Sequence, residues 1–418
     1  MYDAIIIGGG PAGAATATRL AQAGRRVVLL ERERFPRFHI GESLLPCSVP
    51  LLRELGALDA VEAAGFPRKH AAEFVVGDCS LSRRVCFADG LLDGVPYAFE
   101  VDRDRFDAIL LDNAARAGVD VRQECEARDF TITDDGVEIV AGDATLRGSM
   151  VVDATGQRSM LAGRFKLRRM DPDLRNFAVF SHYEGASRGS GDSAGDITIV
   201  LVRDGWWWVI PLAGDRTSVG FVAPGKALRG SKADAAYFER ALADTPYLAA
   251  RFDGARRVAP VRGASDYSYS ASQLAGDRWL LVGDAAAFID PVFSSGVHLG
   301  LAGAFRAAAA IDVAVARRRF SRAAFARYER WLRRAERAYR DFVRGFYRPE
   351  NAELLMHPTS ALKLRQSVTS LLSGHGADSF AVNWRIRIFS VLARLNRDFP
   401  LTPRLAERRA GARAMAEP

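Results

Sequence analysis

The sequence predicts an α/β protein: a Rossmann-type nucleotide-binding domain, an antiparallel β-sheet domain and a helical C-terminal region. Three observations carry this prediction. A glycine-rich turn lies between an apolar strand and a helix at the start of the chain. Four alternating stretches rich in aromatic and β-branched residues follow one another between 176 and 223. Beyond residue 313 the pattern is mostly helical and rich in arginine.

Residues 2–7 read as a buried strand, because their apolar run ends directly on glycines. Residues 8–13 form the turn, 11–23 a helix stopped by Gly24, and 27–30 a second strand, which together make a βαβ opening. A helix over 48–55 ends at Gly56, and 69–77 and 81–87 read as extended. Residues 102–117 form an amphipathic helix closed by Gly118, 129–141 a hairpin about Asp134-Asp135-Gly136, and 150–153 a short buried strand. Stretches 177–184, 197–203, 206–212 and 217–223 alternate as antiparallel strands do, with a Gly/Ser/Asp-rich loop at 187–196. Residues 279–282 return to a buried strand and a helix starts near Ser295. Arg317 through Arg340 reads as one long basic helix, and no internal repeat is visible. The boundaries that follow are 1–66, 101–170 and 271–315 for the nucleotide domain, 67–100 and 171–270 for the sheet domain, and 316–418 for the helical region.

About half the residues are apolar (49%), enough for a full core, and 26% charged residues argue against disorder. No apolar run approaches the roughly 18–20 residues that span a bilayer, and Met1-Tyr2-Asp3 lacks the basic start of a secretory signal. The expectation is a cytoplasmic protein without an integral membrane segment. Cys47, Cys79, Cys86 and Cys125 show no C-x-x-C pair and no histidine at ligand spacing, so they read as half-buried thiols and no metal site is expected. Charge is uneven. Residues 314–418 hold 22 of the 58 basic and 9 of the 50 acidic residues, so the whole excess of +8 lies there. Such a face suits an acidic acyl or peptidyl carrier protein, or equally an anionic membrane surface. Arg330, Arg333, Arg334 and Arg337 share it by i, i+3, i+4, i+7 spacing. Nucleic acid is not expected, because no recognition motif accompanies the charge.

Gly8-Gly9-Gly10-Pro11-Ala12-Gly13 is a G-x-G-x-x-G between strand and helix. Gly8 permits the turn, Gly10 lets the backbone approach a pyrophosphate, and Gly13 lets helix and strand pack closely. The helix N-terminus offers unpaired N–H groups to phosphate. Glu31, ending the second strand, suits ribose hydroxyls, with Ala12 and Arg32 beside the same site. Further on stand Arg103 and Arg105-Phe106-Asp107 at a helix start, Asp153-Ala154-Thr155-Gly156 after a strand, and Gly283-Asp284 after another. At these positions the chain resembles the FAD domain of the p-hydroxybenzoate hydroxylase class, an enlarged Rossmann fold. That resemblance implies FAD, with Asp284 on the ribityl chain and Arg103 close to the cofactor.

Trp206-Trp207-Trp208-Val209-Ile210-Pro211 fits W-x-W-x-I-P. Alternation places Trp206, Trp208 and Ile210 on one face. Gly41-Glu42-Ser43 is a G-E-S stretch, whose Ser43 could alternatively cap a helix. Asp290-Pro291-Val292-Phe293-Ser294-Ser295-Gly296 fits D-P-x-x-S-x-G. Lys69 opens a segment that keeps the Lys, Phe74 and Gly77 of K-x-G-x-x-F-x-W-G, with Ala71 and Val76 at the other two positions. Together these motifs resemble flavin-dependent halogenases of the non-tryptophan, phenol- or carrier-substrate type. Phe346-Tyr347 and Leu371-Leu372-Ser373-Gly374 are similar to their C-terminal region.

The resemblance implies several roles. Gly41, Glu42 and Ser43 run beside the flavin. Ser295 and Gly296 offer N–H groups to chloride or bromide, with Gly296 also at the cofactor. Trp206 and Trp208 separate flavin from substrate, and Lys69 receives hypohalous acid. Phe293 stands where tryptophan halogenases carry a glutamate, which argues against free tryptophan as substrate. The chain carries no second nucleotide fingerprint, so a separate NAD(P)H:flavin reductase is expected to supply reduced FAD. The substrate is expected to be an electron-rich aromatic or enol carbon, free or carrier-tethered. The alternatives are an aromatic hydroxylase or epoxidase, or a reductase like the geranylgeranyl reductases.

Overall fold

Strand Ala4–Ile7 is wholly buried and sits inside a six-stranded sheet of a computed structural model that describes residues 1–225, 234–265, 268–376 and 378–405. The sheet order is Ala275–Gly276, Trp279–Leu281, Val151–Asp153, Ala4–Ile7, Val27–Leu30, Asp120–Arg122. All pairings are parallel except that of Ala275–Gly276. Parallel strands need both faces covered. Helices Pro11–Gln22, Arg103–Arg116 and Ser295–Arg317 supply cover, and the strands are correspondingly pure apolar runs.

The second large sheet holds Asn176–Glu184, Arg216–Pro224, Gly205–Pro211, Ile197–Val202, Ala71–Val76 and Ser82–Cys86 in that order, with Arg256–Arg257 and Arg262–Ser265 beside the first of them. It is not purely antiparallel as expected: Ile197–Val202 pairs Ala71–Val76 in parallel. The chain leaves the sheet for the nucleotide domain between these two strands, so no hairpin constrains their direction. Trp206, Trp208 and Ile210 do share one face, while Trp207 and Val209 lie in the core on the other.

Three further expectations need correction. The stretch from Arg317 to Arg340 is not one helix. Ser295–Arg317 ends with Arg318 in the left-handed region (φ 50°), and a new helix runs Ala326–Phe346. Ser295–Arg317 is itself long and apolar enough to cross a bilayer, contrary to the expectation that no such run exists. Half of that window is buried, and the helix packs on Pro11–Gln22 as a core helix. Cys79 is exposed, whereas Cys47, Cys86 and Cys125 are half-buried. The end of the expected C-terminal region, 406–418, lies outside the described residues. Helices Ala326–Phe346, Pro349–Met356, Leu364–Leu372 and Phe380–Asp398 pack on the sheet face that carries Trp206 and Trp208.

Candidate active site

The glycine turn shows which of its glycines the protein itself requires. A Cβ on Gly8 (φ 107°) would stand 2.3 Å from Ala154 O, and one on Gly13 would stand 1.9 Å from Gly8 O. A Cβ on Gly10 meets only Arg37 Nη2, at 3.7 Å. Gly10 is therefore not needed for internal packing, and the open space beside it suits a pyrophosphate. Ala12 lies under Gly283 and Gly300, where its small side chain admits close helix approach. Glu31 is buried, and its carboxylate accepts N–H groups of Gly9 (2.7 Å) and Glu33 (2.9 Å). Each oxygen keeps a further lone pair for a ribose hydroxyl. Arg32 is exposed beside Glu33. Sequence reasoning missed Arg37, whose guanidinium lies against Gly10 and is held by an ion pair of its buried Nη1 with Asp107 (3.3 Å).

Arg103 is buried, pairs with Asp107 (2.8 Å) and donates to the carbonyls of Ile40 (2.8 Å) and Gly41 (3.2 Å). It thus fixes the G-E-S stretch. Ser43 does not cap a helix, because the next helix starts at Ser48 and Ser43 instead bridges Glu100 in a strand-like pairing. Glu42 Oε1 contacts His182 Nε2 at 2.6 Å, and its buried Oε2 has no partner among the described residues. Asp284, Ser295 and Gly296 line one small pocket of about 20 Å³, and a Cβ on Gly296 would meet nothing among the described residues. Burial pushes the Asp284 carboxyl up to about 6, against the pull of Arg103. The first-turn N–H groups at Ser295 and Gly296 have no intrahelical acceptors. The open space beside Gly10, the Arg37 guanidinium lying against it and the first-turn N–H groups of Ser295 and Gly296 fit FAD.

Lys69 is 1% exposed. Its Nζ donates to Ser43 Oγ at 2.7 Å, which donates to Glu100 Oε1 at 3.1 Å, and Nζ lies 5.4 Å from the Phe87 ring centroid. Burial holds the Lys69 ammonium below its ordinary range, while Glu100 and Asp196 pull it back up. Glu100 escaped sequence reasoning; the signal was a lone acid inside the apolar run Ala98-Phe99-Glu100-Val101.

Trp206 and Trp208 are buried with ring centroids 6.1 Å apart. Trp206 Nε1 donates to Tyr347 Oη (2.8 Å), which donates to Asp290 Oδ2 (2.6 Å), which also accepts from Asn176 (2.8 Å). This chain ties the D-P segment to the Trp strand and the C-terminal helices. Phe293 packs on Phe342 and Phe346. Among the described residues no hydrogen bond or ring contact joins Lys69 to either tryptophan; Phe87, which Lys69 faces, belongs to the same core as both. Trp208 lies flat over Gly220, where a Cβ would stand 2.2 Å from the indole. Gly220→Ala is therefore expected to displace Trp208 and cost about 1–3 kcal/mol of stability. A thermal scan with near-ultraviolet circular dichroism would show an unchanged tryptophan signal and melting point if this packing were wrong.

A second cavity, of about 140 Å³, lies between strand Ser82–Cys86 and the C-terminal helices. Leu354, Leu355, Val368 and Phe389 line it, with Arg83 and Arg365 among its polar residues. Cys86 lines this cavity while the adjacent Phe87 faces Lys69, so one residue's thickness separates the two.

The sequence profile described as tryptophan halogenase matches residues 3–83 and 77–353. A 1H-pyrrole-2-carbonyl peptidyl-carrier-protein chlorinase of Pseudomonas fluorescens is 34% identical over 377 residues, covering 83% of this chain and 84% of that protein. The corresponding brominase of Pseudoalteromonas luteoviolacea is 32% identical over 357 residues, covering 83% and 86%. The solved structure of the flavin-dependent brominase Bmp2 superposes with a TM-score of 0.85 at 28% identity, covering 95% of this chain and 99% of that one.

Proposed function

Since this chain belongs to the tryptophan halogenase family and is an FAD-dependent halogenase of the non-tryptophan type, we propose that it halogenates a pyrrole- or phenol-type ring carried on a peptidyl carrier protein, with Lys69 receiving the hypohalous acid. The burial of Lys69 against the G-E-S serine is the observation that carries this reading. A dry amine has no use in a hydroxylase, whose oxygen passes directly to the substrate. When bound and reduced by a separate reductase, FAD supplies hypohalous acid from oxygen and halide.

The chain's own residues do the rest. Gly10, Arg37, Glu31 and Arg32 hold the nucleotide end, and Gly8 and Gly13 let the turn form. Asp284, Arg103, Gly41, Glu42 and Ser43 surround the flavin end, while Ser295 and Gly296 present N–H groups to the halide. Trp206 and Trp208 exclude water and keep the substrate ring from the flavin. Lys69 then orients the electrophile toward the ring. We place the reaction in the cytoplasm, in keeping with four free cysteines.

The cavity beside Phe87 suits the carrier's arm, and Arg83 and Arg365 make no ion pair among the described residues, so they can meet its phosphate. The arginines of helix Ala326–Phe346 serve less well. Arg333 donates to the Ala271 and Ser272 carbonyls, Arg340 pairs with Glu336 and Arg344 with Asp171. Arg330, Arg334 and Arg337 line neither cavity.

The test compares a carrier-tethered pyrrole-2-carbonyl thioester with a small free analogue. Bromide or chloride isotope doublets in the product mass are expected, and a gain of one oxygen would mean hydroxylation instead. Screening shortens from about 10 Å at 0.1 M to about 3 Å at 1 M salt, so added salt should slow the tethered substrate selectively. Arg83→Glu with Arg365→Glu should reproduce that loss, and charge reversal at Arg330, Arg334 and Arg337 should not. Equal salt sensitivity of both substrates would remove the docking proposal.

A further inference from the structure

Three segments are stitched together around Lys69. Leu44 N–H donates to Phe99 O (3.0 Å) and Val101 N–H to Glu42 O (2.7 Å), which sets Ser43 opposite Glu100. Lys69 pairs with Ala98 on the neighbouring strand. The result is a continuous line, Nζ to Ser43 Oγ to Glu100 Oε1, with Nζ and Oε1 4.0 Å apart. Glu100 is 0% exposed, and its Oε2 has no hydrogen-bond partner among the described residues. We propose that Glu100 is the proton store of this site: it shares one proton with Lys69 through the Ser43 hydroxyl, so that the lysine presents a neutral amine while an acid waits one hydroxyl away. The proposal rests on the reading of Lys69 given above.

The other charged groups nearby are already committed. Asp196 accepts N–H groups of His70 (2.9 Å) and Ala71 (2.8 Å) and pairs with Arg84 (2.7 Å). Glu42 is engaged by His182. Glu100 alone combines an empty oxygen with a path to Nζ. An ionic Lys69–Glu100 pair would bury two charges and leave a carboxylate oxygen with no donor, which is costly. A neutral pair buries neither charge, and the oxygen left bare is then a carbonyl, which costs less. Burial acts the same way on both partners, pushing the Glu100 carboxyl up to about 8 and the Lys69 ammonium down.

Transfer needs two proton hops and no electrons. An Nζ–H proton passes to Oγ as the hydroxyl proton passes to Oε1, and both hydrogen bonds reverse. The amine lone pair then meets hypohalous acid: an N–halogen bond forms, the O–halogen bond breaks, and one amine proton leaves with hydroxide as water. When the halogen moves on, the N–halogen bond breaks as the carbon–halogen bond forms. Glu100 returns its proton to nitrogen through Ser43, and the ring carbon's proton restores Glu100. An ammonium has no lone pair for the first event, and an amine without an acid behind it has no proton for the last.

The first measurement needs no substrate. The whole chain holds five lysines, so the ¹³Cε resonance of labelled Lys69 can be assigned by Lys69→Arg. Infrared difference spectra report a protonated carboxyl directly. Expected at pH 7 are a neutral Lys69 and a protonated-carboxyl band that is missing from Glu100→Gln and fades as pH rises through about 8. A charged Lys69 with only carboxylate bands would mean an ordinary buried ion pair and end the proposal. The second measurement is turnover of the tethered pyrrole. Glu100→Gln, near-isosteric, should lose about 10²-fold in halogenation, as removal of a positioned acid does, with flavin oxidation unchanged and Glu100→Asp partly restoring it. Wild-type halogenation by Glu100→Gln, alongside an inactive Lys69→Ala, would refute Glu100 and leave Lys69 standing. Full activity in Lys69→Ala would refute the lysine itself.

Discussion

Lys69→Ala protein is expected to oxidise reduced flavin at the wild-type rate and release peroxide, while halogenated product falls about 10²–10⁴-fold. The separation of effects follows from position. Lys69 reaches Ser43 and faces Phe87, and it touches neither the glycine turn nor the Asp284–Ser295 cavity. Its loss leaves those parts of the flavin site in place and removes the group that directs the electrophile, together with one hydrogen bond to the flavin-side Ser43. Alanine leaves a hole in a site that is almost fully closed, and Lys69→Met controls for that by refilling the volume without an amine. Both variants should fail in halogenation alike. The measurement is product by mass spectrometry beside oxygen uptake on the same sample. Near-normal product from either variant would return Lys69 to a structural role.

Gly10→Val is expected to give a folded protein that holds FAD much more weakly. Among the described residues nothing comes closer than 3.7 Å to a Cβ at this position, so the fold has no reason to object. The same side chain projects into the space beside Arg37 and the helix N-terminus, where a pyrophosphate would lie. Crowding of this kind costs about 1–3 kcal/mol, a loss of roughly tenfold to a hundredfold in affinity. Gly13→Val makes the contrast, since its Cβ would meet Gly8 O at 1.9 Å and the turn itself would break. Flavin titration together with circular dichroism separates the two. If Gly10→Val retains full flavin affinity, the pyrophosphate does not lie at this turn. If it unfolds as Gly13→Val does, Gly10 has a packing role that the geometry does not show.

Much of this protein was legible in the chain because the physics is local. A strand that runs into Gly8, a helix that starts at Pro11 and a second strand at Val27 each follow from neighbouring residues alone. Alternation placed Trp206 and Trp208 on one face before any contact was known, and the glycine content of the turn marked it as a nucleotide site. The charge excess of the C-terminal quarter was also plain in the composition. What that charge does was not plain, because Arg333 spends its own on carbonyls, and Arg340 and Arg344 on Asp171, all far away in sequence.

Other features depend on which distant segments share a buried face, and local pattern carries no record of that. Ala71–Val76 joins the sheet parallel to Ile197–Val202 because both bury the same apolar surface. Tyr347 meets Asp290 and Trp206 only after four C-terminal helices have closed over the tryptophan face. Arg37 reaches the glycine turn from a loop without a motif. Glu100 stands 31 positions from Lys69 and 57 from Ser43, so spacing could not link them. The sequence by itself determined the nucleotide fold and the tryptophan face, and it singled out the lysine as a candidate. Only the tertiary structure decided that this lysine would be sealed from water beside a serine and an otherwise unpartnered acid, because burial, not sequence distance, sets which charges must answer one another.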